Sequence, residues 1–189
     1  MRKIGLLGGT FDPPHIGHLI IGEEVYQKLK LDEIWFIPSS VPPHKDTTTT
    51  EPEHRKEMVD LSIRENPHFR LETFELEREG RSYTVDTIKA LQSSHPDDEF
   101  FFIIGADMVE YLPKWHKIDE LMGMVQFVGV AREGYSLASA YSITEVEIPM
   151  IEISSTEIRK RLDAGNPVYY WILNEVLDYI REQELYGFK

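Results

Sequence analysis

"GGTFDPPHIGH", residues 8–18, packs three glycines, two adjacent prolines and two histidines into one short stretch near the start of the chain. Gly and Pro weaken any helix or strand that contains them, so these residues read as a shaped loop rather than as core. The loop follows Lys3 to Leu7, a short apolar run broken by Gly8-Gly9, which predicts a buried strand. Beyond it Ile16, Leu19, Ile20, Val25 and Leu29 recur at helical spacing and predict a helix from about His15 to about Lys30. Strand, glycine turn and helix make half of a βαβ unit.

The pattern continues along the chain. "EIWFIPSS" predicts a strand at Ile34 to Ile37. The polar, Pro-bearing "VPPHKDTTTTEPE" predicts a loop leading into a helix from about Pro52 to Arg64. "FRLETFEL" alternates as a strand, "YTVDTIKALQ" has helical spacing, and "EFFFIIG" is the continuous apolar run of a strand covered on both faces. An irregular stretch around Pro113 precedes a short helix at "DELMG", a buried strand at "MVQFVGVA" and an edge-like strand at "VEIPM". "SSTEIRKRLDAG" carries Ser154 and Glu157 at capping-box spacing with Gly165 after the end, and "PVYYWILNEVLDYIREQELYG" predicts a second C-terminal helix. The expectation is a single α/β domain over 1–189. It has a Rossmann-like, doubly wound, mostly parallel sheet with helices on both faces and two C-terminal helices. Ligands in such sheets bind beyond the carboxyl ends of the strands, where Gly8 to His18, Ser39 to Lys45 and Gly105 to Asp107 fall.

Bulk properties narrow the function. A length of 189 residues, 41% hydrophobic and 28% charged, suits one sizeable core. Lys and Arg number 20 against 33 Asp and Glu, so the net charge of -13 disfavours nucleic acid and anionic membranes as partners. Cys is absent, which excludes disulfides and thiolate metal sites. No signal-peptide pattern opens the chain and no apolar run reaches membrane-spanning length, which predicts a soluble, cytoplasmic protein. Oligomeric state stays open, a homo-oligomer included.

The first turn is not an ordinary nucleotide motif, since G-x-G-x-x-G and G-x-x-x-x-G-K-[ST] are both absent. It does offer a glycine pair for close backbone approach to a phosphate, and the Thr10 hydroxyl. His15 and His18 stand three apart on one face of a helix N-terminus, so both imidazoles are expected to face one ligand. Gly17 between them would let a flat base lie against the helix. Other uses stand beside this one. The pair could bind metal, although the H-E-x-x-H spacing and its Glu are missing, or the histidines could be solvated or capping residues.

The H-x-G-H of His15 to His18, "IIGAD" at Ile103 to Asp107 and "ISSTEIR" at Ile153 to Arg159, in that order, resemble the H-x-G-H nucleotidyltransferase superfamily. Within it the likeness is to the bacterial nicotinate mononucleotide adenylyltransferases. The resemblance implies ATP and nicotinate mononucleotide as partners, deamido-NAD and pyrophosphate as products, and magnesium carried by the ATP phosphates rather than by a protein metal site. It assigns His15, His18, Lys45 and Arg159 to catalysis. Gly8, Gly9, Thr10, Phe11, Gly105, Asp107, Ser155 and Thr156 join the histidines and Arg159 around ATP, with Asp107 on the ribose. Ser39, Lys45, Thr84, Tyr111 and Trp115 surround the acceptor, Trp115 stacking on the pyridine and Thr84 contacting its carboxylate.

Each assignment has a plainer alternative. Asp107 and Thr84 could be helix caps, and Lys45 could be a solvated loop residue. Trp35 and Trp171, in apolar periodic segments, read as core. The chemistry suits the inventory, because a phosphate nucleophile is already ionised near neutral pH and catalysis reduces to holding and neutralising anions. Rival functions are a sibling transferase acting on pantetheine phosphate or glycerol phosphate, a non-catalytic nucleotide sensor, and a metal-dependent hydrolase.

Overall fold

A computed structural model describes residues 1–39, 50–77, 83–132, 137–149 and 151–188. Among them the chain alternates β1 (Lys3–Gly9), α1 (Ile16–Leu29), β2 (Glu33–Pro38), α2 (Pro52–Ile63), β3 (Phe69–Leu71), α3 (Thr84–Ser94) and β4 (Glu99–Gly105). The second half runs α4 (Ala106–Tyr111), α5 (Ile118–Met122), β5 (Gln126–Arg132), β6 (Ile143–Ile148), α6 (Ser155–Asp163) and α7 (Asn174–Glu182). The strands form one sheet in the order β3-β2-β1-β4-β5-β6. Every neighbouring pair is parallel. This is the α/β, Rossmann-like architecture expected from the alternation.

Period-2 alternation divides the side chains between two cores. Ile4 and Leu6 of β1 join Trp35, Phe100, Phe102 and Ile104 on one face, where α3 contributes Val85, Ile88 and Leu91. Leu7 joins Ile34, Phe36, Phe101, Ile103 and Val128 on the other, covered by Val25 of α1 and Val59 of α2. A third cluster packs Met58 of α2 against Ile158, Leu162, Val176, Leu177 and Ile180 of the last two helices. Because strand order reverses between β1 and β4, the loops after these two strands open a crevice at the sheet's carboxyl edge.

Three expected elements differ. "FRLETFEL" keeps strand pairing only to Leu71, the last residue matched to β2, after which the Thr73 carbonyl accepts from the amides of Leu76 and Glu77 and the chain turns. The stretch around Pro113 is not wholly irregular, since α4 precedes it and Leu112–Lys114 make a 3-10 turn. The second C-terminal helix is confined to Asn174–Glu182. Val168 and Ile172 are buried as the periodicity requires, but Trp171 N–H closes a turn onto Val168 O and Tyr170 has φ 66. The apolar spacing there belongs to a packed bend. Trp35 is fully buried, and Trp171 is partly buried beneath the Arg161 guanidinium, 4.0 Å from its ring.

Candidate functional site

Residues 10–15 leave β1 and enter α1, and the turn is braced from several sides. Phe11 adopts φ 51 and buries its ring against Phe36 and, edge-on at 4.9 Å, against His18. Its side chain therefore serves as the floor of the loop. His15 occupies the N-cap position of α1, and the Ile16 amide donates to Trp171 O at 2.8 Å. The amide of His15 donates to His18 Nδ1 at 3.1 Å. With Nδ1 accepting, the neutral His18 ring carries its proton on Nε2, leaving a fixed N–H donor.

The two imidazoles stack with centroids 3.7 Å apart at 27°. Burial pushes the His15 ring down to about 4, and burial followed by the neighbouring His15 holds His18 well below the usual imidazole range. Both rings are neutral at pH 7. Gly17 leaves room on this face of α1. A Cβ there would lie 3.0 Å from His15 Nδ1 and 3.5 Å from Ile151, so the missing side chain makes way for the His15 ring.

The start of α6 closes the loop from the far end of the chain. Ser154 caps this helix by accepting from the Glu157 amide at 3.2 Å. Ser155 Oγ donates to Pro13 O at 2.8 Å, and Arg159 Nη1 donates to Asp12 O at 2.6 Å while Nη2 reaches Thr156 Oγ1 at 3.4 Å. The first-turn amides of α6 thus stand beside the histidine loop, as an anion site requires.

Gly105 ends β4 and opens α4. Asp107 lies exposed in the first turn, and it is Gly105, without a side-chain bond, that holds the N-cap position. Thr84 likewise is not a cap, because Tyr83 occupies that position and Thr84 is the first helical residue of α3. Beside Gly105 and Asp107 a cavity of about 630 Å³ is lined by Val130, Leu137, Ile148 and Ile151, a volume suited to a nucleoside.

Of the residues expected around the acceptor, Ser39 donates its N–H to Gly9 O at 2.9 Å, and its Oγ is buried with no partner among the described residues. Trp115 packs edge-on against Phe102 and Phe127, and its Nε1 is also buried with no partner among the described residues. The Phe102 ring in turn lies 3.7 Å from where a Gly8 Cβ would stand, so Trp115 sits one ring from the nucleotide loop. Tyr111 is 46% exposed with the Lys114 ammonium 4.5 Å from its ring centroid. Lys45 lies outside the described residues.

Three functional candidates escaped the sequence reading. Arg55 of α2 is fully buried and donates to Thr10 O at 2.9 Å, Ser39 O at 2.7 Å and Thr50 O at 3.3 Å, tying together the ends of β1 and β2. Burial lowers its pKa and Asp12 opposes that shift, so the guanidinium keeps its charge. Asp12, only 3% exposed, accepts from Tyr186 Oη at 2.6 Å. A signal for Arg55 existed, since it shares the helical stripe of Met58, Val59 and Ser62. None existed for the Asp12 to Tyr186 pair.

The model of the family described as cytidylyltransferase-like matches residues 6–161, a span that includes the histidine loop and Arg159. The "Nicotinate-nucleotide adenylyltransferase" of Bacillus subtilis (strain 168) is 50% identical over 187 residues, covering 98% of this chain and 99% of that one. A protein of Oceanobacillus iheyensis named "Probable nicotinate-nucleotide adenylyltransferase" is 55% identical over 188 residues, covering 100% and 98%. The chain belongs to the nicotinate-nucleotide adenylyltransferases of the cytidylyltransferase-like family. The fold is shared with the Plasmodium falciparum nicotinic acid mononucleotide adenylyltransferase complexed with NaAD, at TM-score 0.83 and 24% identity over 100% of this chain and 99% of that one. Family membership makes the chain a nucleotidyltransferase, and the H-x-G-H loop and the "ISSTEIR" segment, read as separate motifs, form one hydrogen-bonded surface. No helix among the described residues is long and apolar enough to cross a membrane.

Proposed function

We propose that this chain transfers the adenylyl group of ATP to the phosphate of nicotinate mononucleotide, forming nicotinate adenine dinucleotide and releasing pyrophosphate. One observation carries the reading. The loop after β1 and the first turn of α6 are bonded into a single surface that gathers His18, Arg159 and helix N-terminal amides at the crevice of the sheet. The half-identical relatives support the choice of acceptor.

In the reaction an acceptor phosphate oxygen attacks the α-phosphorus of ATP. The bond from that phosphorus to the bridging oxygen breaks, and pyrophosphate departs with the electron pair. The attacking oxygen is already ionised, so no side chain has to remove a proton. His18 donates its Nε2–H to an α-phosphate oxygen, and the Arg159 fork and Lys45 neutralise the charge that grows on the leaving group. Gly8, Gly9 and Thr10 let the triphosphate approach, and the α6 amides at Ser155 and Thr156 receive it. His15 orients His18. Gly105 and Asp107 hold the ribose beside the 630 Å³ cavity. Ser39, Thr84, Tyr111 and Trp115 hold the acceptor.

Magnesium enters as part of the substrate MgATP, coordinated by phosphate oxygens and water, as suits an ion that dehydrates reluctantly. The same reading puts the reaction in the cytoplasm.

The test measures pyrophosphate release with MgATP and, in turn, nicotinate mononucleotide, nicotinamide mononucleotide, pantetheine phosphate and glycerol phosphate. Release with nicotinate mononucleotide well above the others is expected. A preference for either of the last two acceptors, or no release with any, overturns the assignment.

A further inference from the structure

We propose that Tyr186 is a positioning residue for adenylyl transfer, the tip of a C-terminal latch that sets the nucleotide loop and Arg159 in their working geometry. The proposal rests on the reaction assigned above. Tyr186 lies 174 positions from Asp12 in the chain, yet its phenol donates to Asp12 Oδ1 at 2.6 Å. The same residue's carbonyl receives Arg159 Nη1 at 2.6 Å. Asp12 therefore joins the latch, through its carboxylate, to the phosphate-facing guanidinium, through its main chain.

The backbone that delivers the phenol is strained. Glu184 has φ 51, Tyr186 has φ 57 and Gly187 has φ 69, a cluster of left-handed residues in which only the last is a glycine. Non-glycine residues held there are strained, and such strain persists only where surrounding contacts impose it. The contacts are specific. A Cβ on Gly187 would fall 2.7 Å from Asp163 Oδ1, at the end of α6. Leu185, Tyr186 and Phe188 pack on the cluster that contains Ile158 and Leu162 of α6, and the Arg181 guanidinium covers the Phe188 ring. One turn thus grips both the helix that carries Arg159 and the loop that Arg159 binds.

Charge explains why a phenol is used. Asp12 is buried within the field of Arg55, and Arg159 bonds its carbonyl. Burial and Asp12 push the Tyr186 hydroxyl well above its ordinary range, so it stays a neutral donor. Without it Asp12 loses the bond that ties its carboxylate to the C-terminal turn, and the Asp12 carbonyl that holds the Arg159 guanidinium can shift and let that guanidinium swing. That swing takes charge away from the phosphates.

The experiment is steady-state kinetics of Tyr186→Phe in wild-type and Arg159→Lys backgrounds, with ATP and nicotinate mononucleotide varied separately. The expected result is a fall of about tenfold in kcat/KM for ATP, little change in KM for the acceptor, and a loss that shrinks below threefold when Arg159 is already Lys. A loss equal in both backgrounds overturns the proposal, because a merely structural tyrosine adds its effect independently. So does an ATP kcat/KM within twofold of wild type. If Tyr186→Phe fails to fold, Gly187→Ala, which disturbs the turn from outside, is judged by the same criteria. If the wild type itself does not turn over, the reaction assignment fails separately, and ATP affinity by calorimetry decides the latch. Weaker binding in Tyr186→Phe upholds it and unchanged binding overturns it.

Discussion

The loop after β1 is held from outside itself. Arg55 donates to Thr10 O, Arg159 to Asp12 O, Ser155 to Pro13 O and Tyr186 to the Asp12 carboxylate. Among the described residues the buried side-chain polar atoms without a hydrogen-bond partner are Ser39 Oγ, Trp115 Nε1 and, in the loop itself, His15 Nδ1. The nucleotide side has its main-chain carbonyls pinned by long-range side chains before any substrate arrives. Ser39 and Trp115, proposed above to hold the acceptor, keep polar atoms whose desolvation a ligand's own polar groups would offset. The contrast fits the division of labour. Charge develops on the phosphates during transfer, where preorganised donors act without reorganising, whereas the pyridine end of the acceptor, which does not react, has only to be recognised.

The largest effect is expected at the pinned side. His18→Ala removes a donor whose ring is fixed by the His15 amide and by Phe11, and should lower kcat by roughly 100- to 1,000-fold, about 2.7 to 4 kcal/mol of barrier. ATP binding should weaken far less, because the donor matters most as charge builds up. Turnover within threefold of wild type would remove His18 from the mechanism and with it the contrast between the two sides.

A smaller effect should appear at the acceptor side. Nicotinate and nicotinamide mononucleotides differ in a carboxylate against an amide, and a site that donates to both carboxylate oxygens leaves a donor unmatched by the amide NH2. Thr84 is half-buried and Tyr111 is 46% exposed, so the preference for the acid in kcat/KM should be about a hundredfold rather than the larger ratios of sealed sites. Thr84→Val should hurt the acid more than the amide. Trp115→Ala should weaken both, since ring stacking serves either pyridine. A wild-type ratio near one rejects this acceptor chemistry while adenylyl transfer stands.

Much of the pinned side was legible because its residues are punctuation as well as chemistry. Gly8-Gly9 end a strand and His15 and His18 open a helix, so periodicity and motif agreed on one place. The pins themselves were hidden for a physical reason. Arg55 reaches main-chain carbonyls, which leave no trace in a sequence, and only its place on the stripe of Met58, Val59 and Ser62 sets it apart from the solvated charges of "EHRKEMVD". Tyr186 finds a partner at the opposite end of the chain, across a bend where the helical spacing overran α7. The spacing rule reports which side chains are buried. It cannot report that Val168 and Ile172 reach the core from a turn.

The smallest effect sharpens the comparison through pH. The His15 imidazole is 8% exposed and burial lowers it to about 4, against the ordinary 6.5 of an unfolded chain. Between these values the unfolded state binds more protons than the folded one, so the group's stability contribution is complete above about pH 6.5 and is lost as pH falls toward 4. From pH 7 to pH 5.5 this amounts to about 1 kcal/mol for His15 alone, with His18 acting in the same direction. Urea unfolding at the two pH values should therefore show His15→Asn losing about 1 kcal/mol less than wild type. A direct NMR titration of the His15 ring should stay flat down to pH 5. An equal loss in both proteins, or a ring that titrates near 6.5, would mean the imidazole pair is solvated. The nucleotide side would then be no more preorganised than the acceptor side it faces.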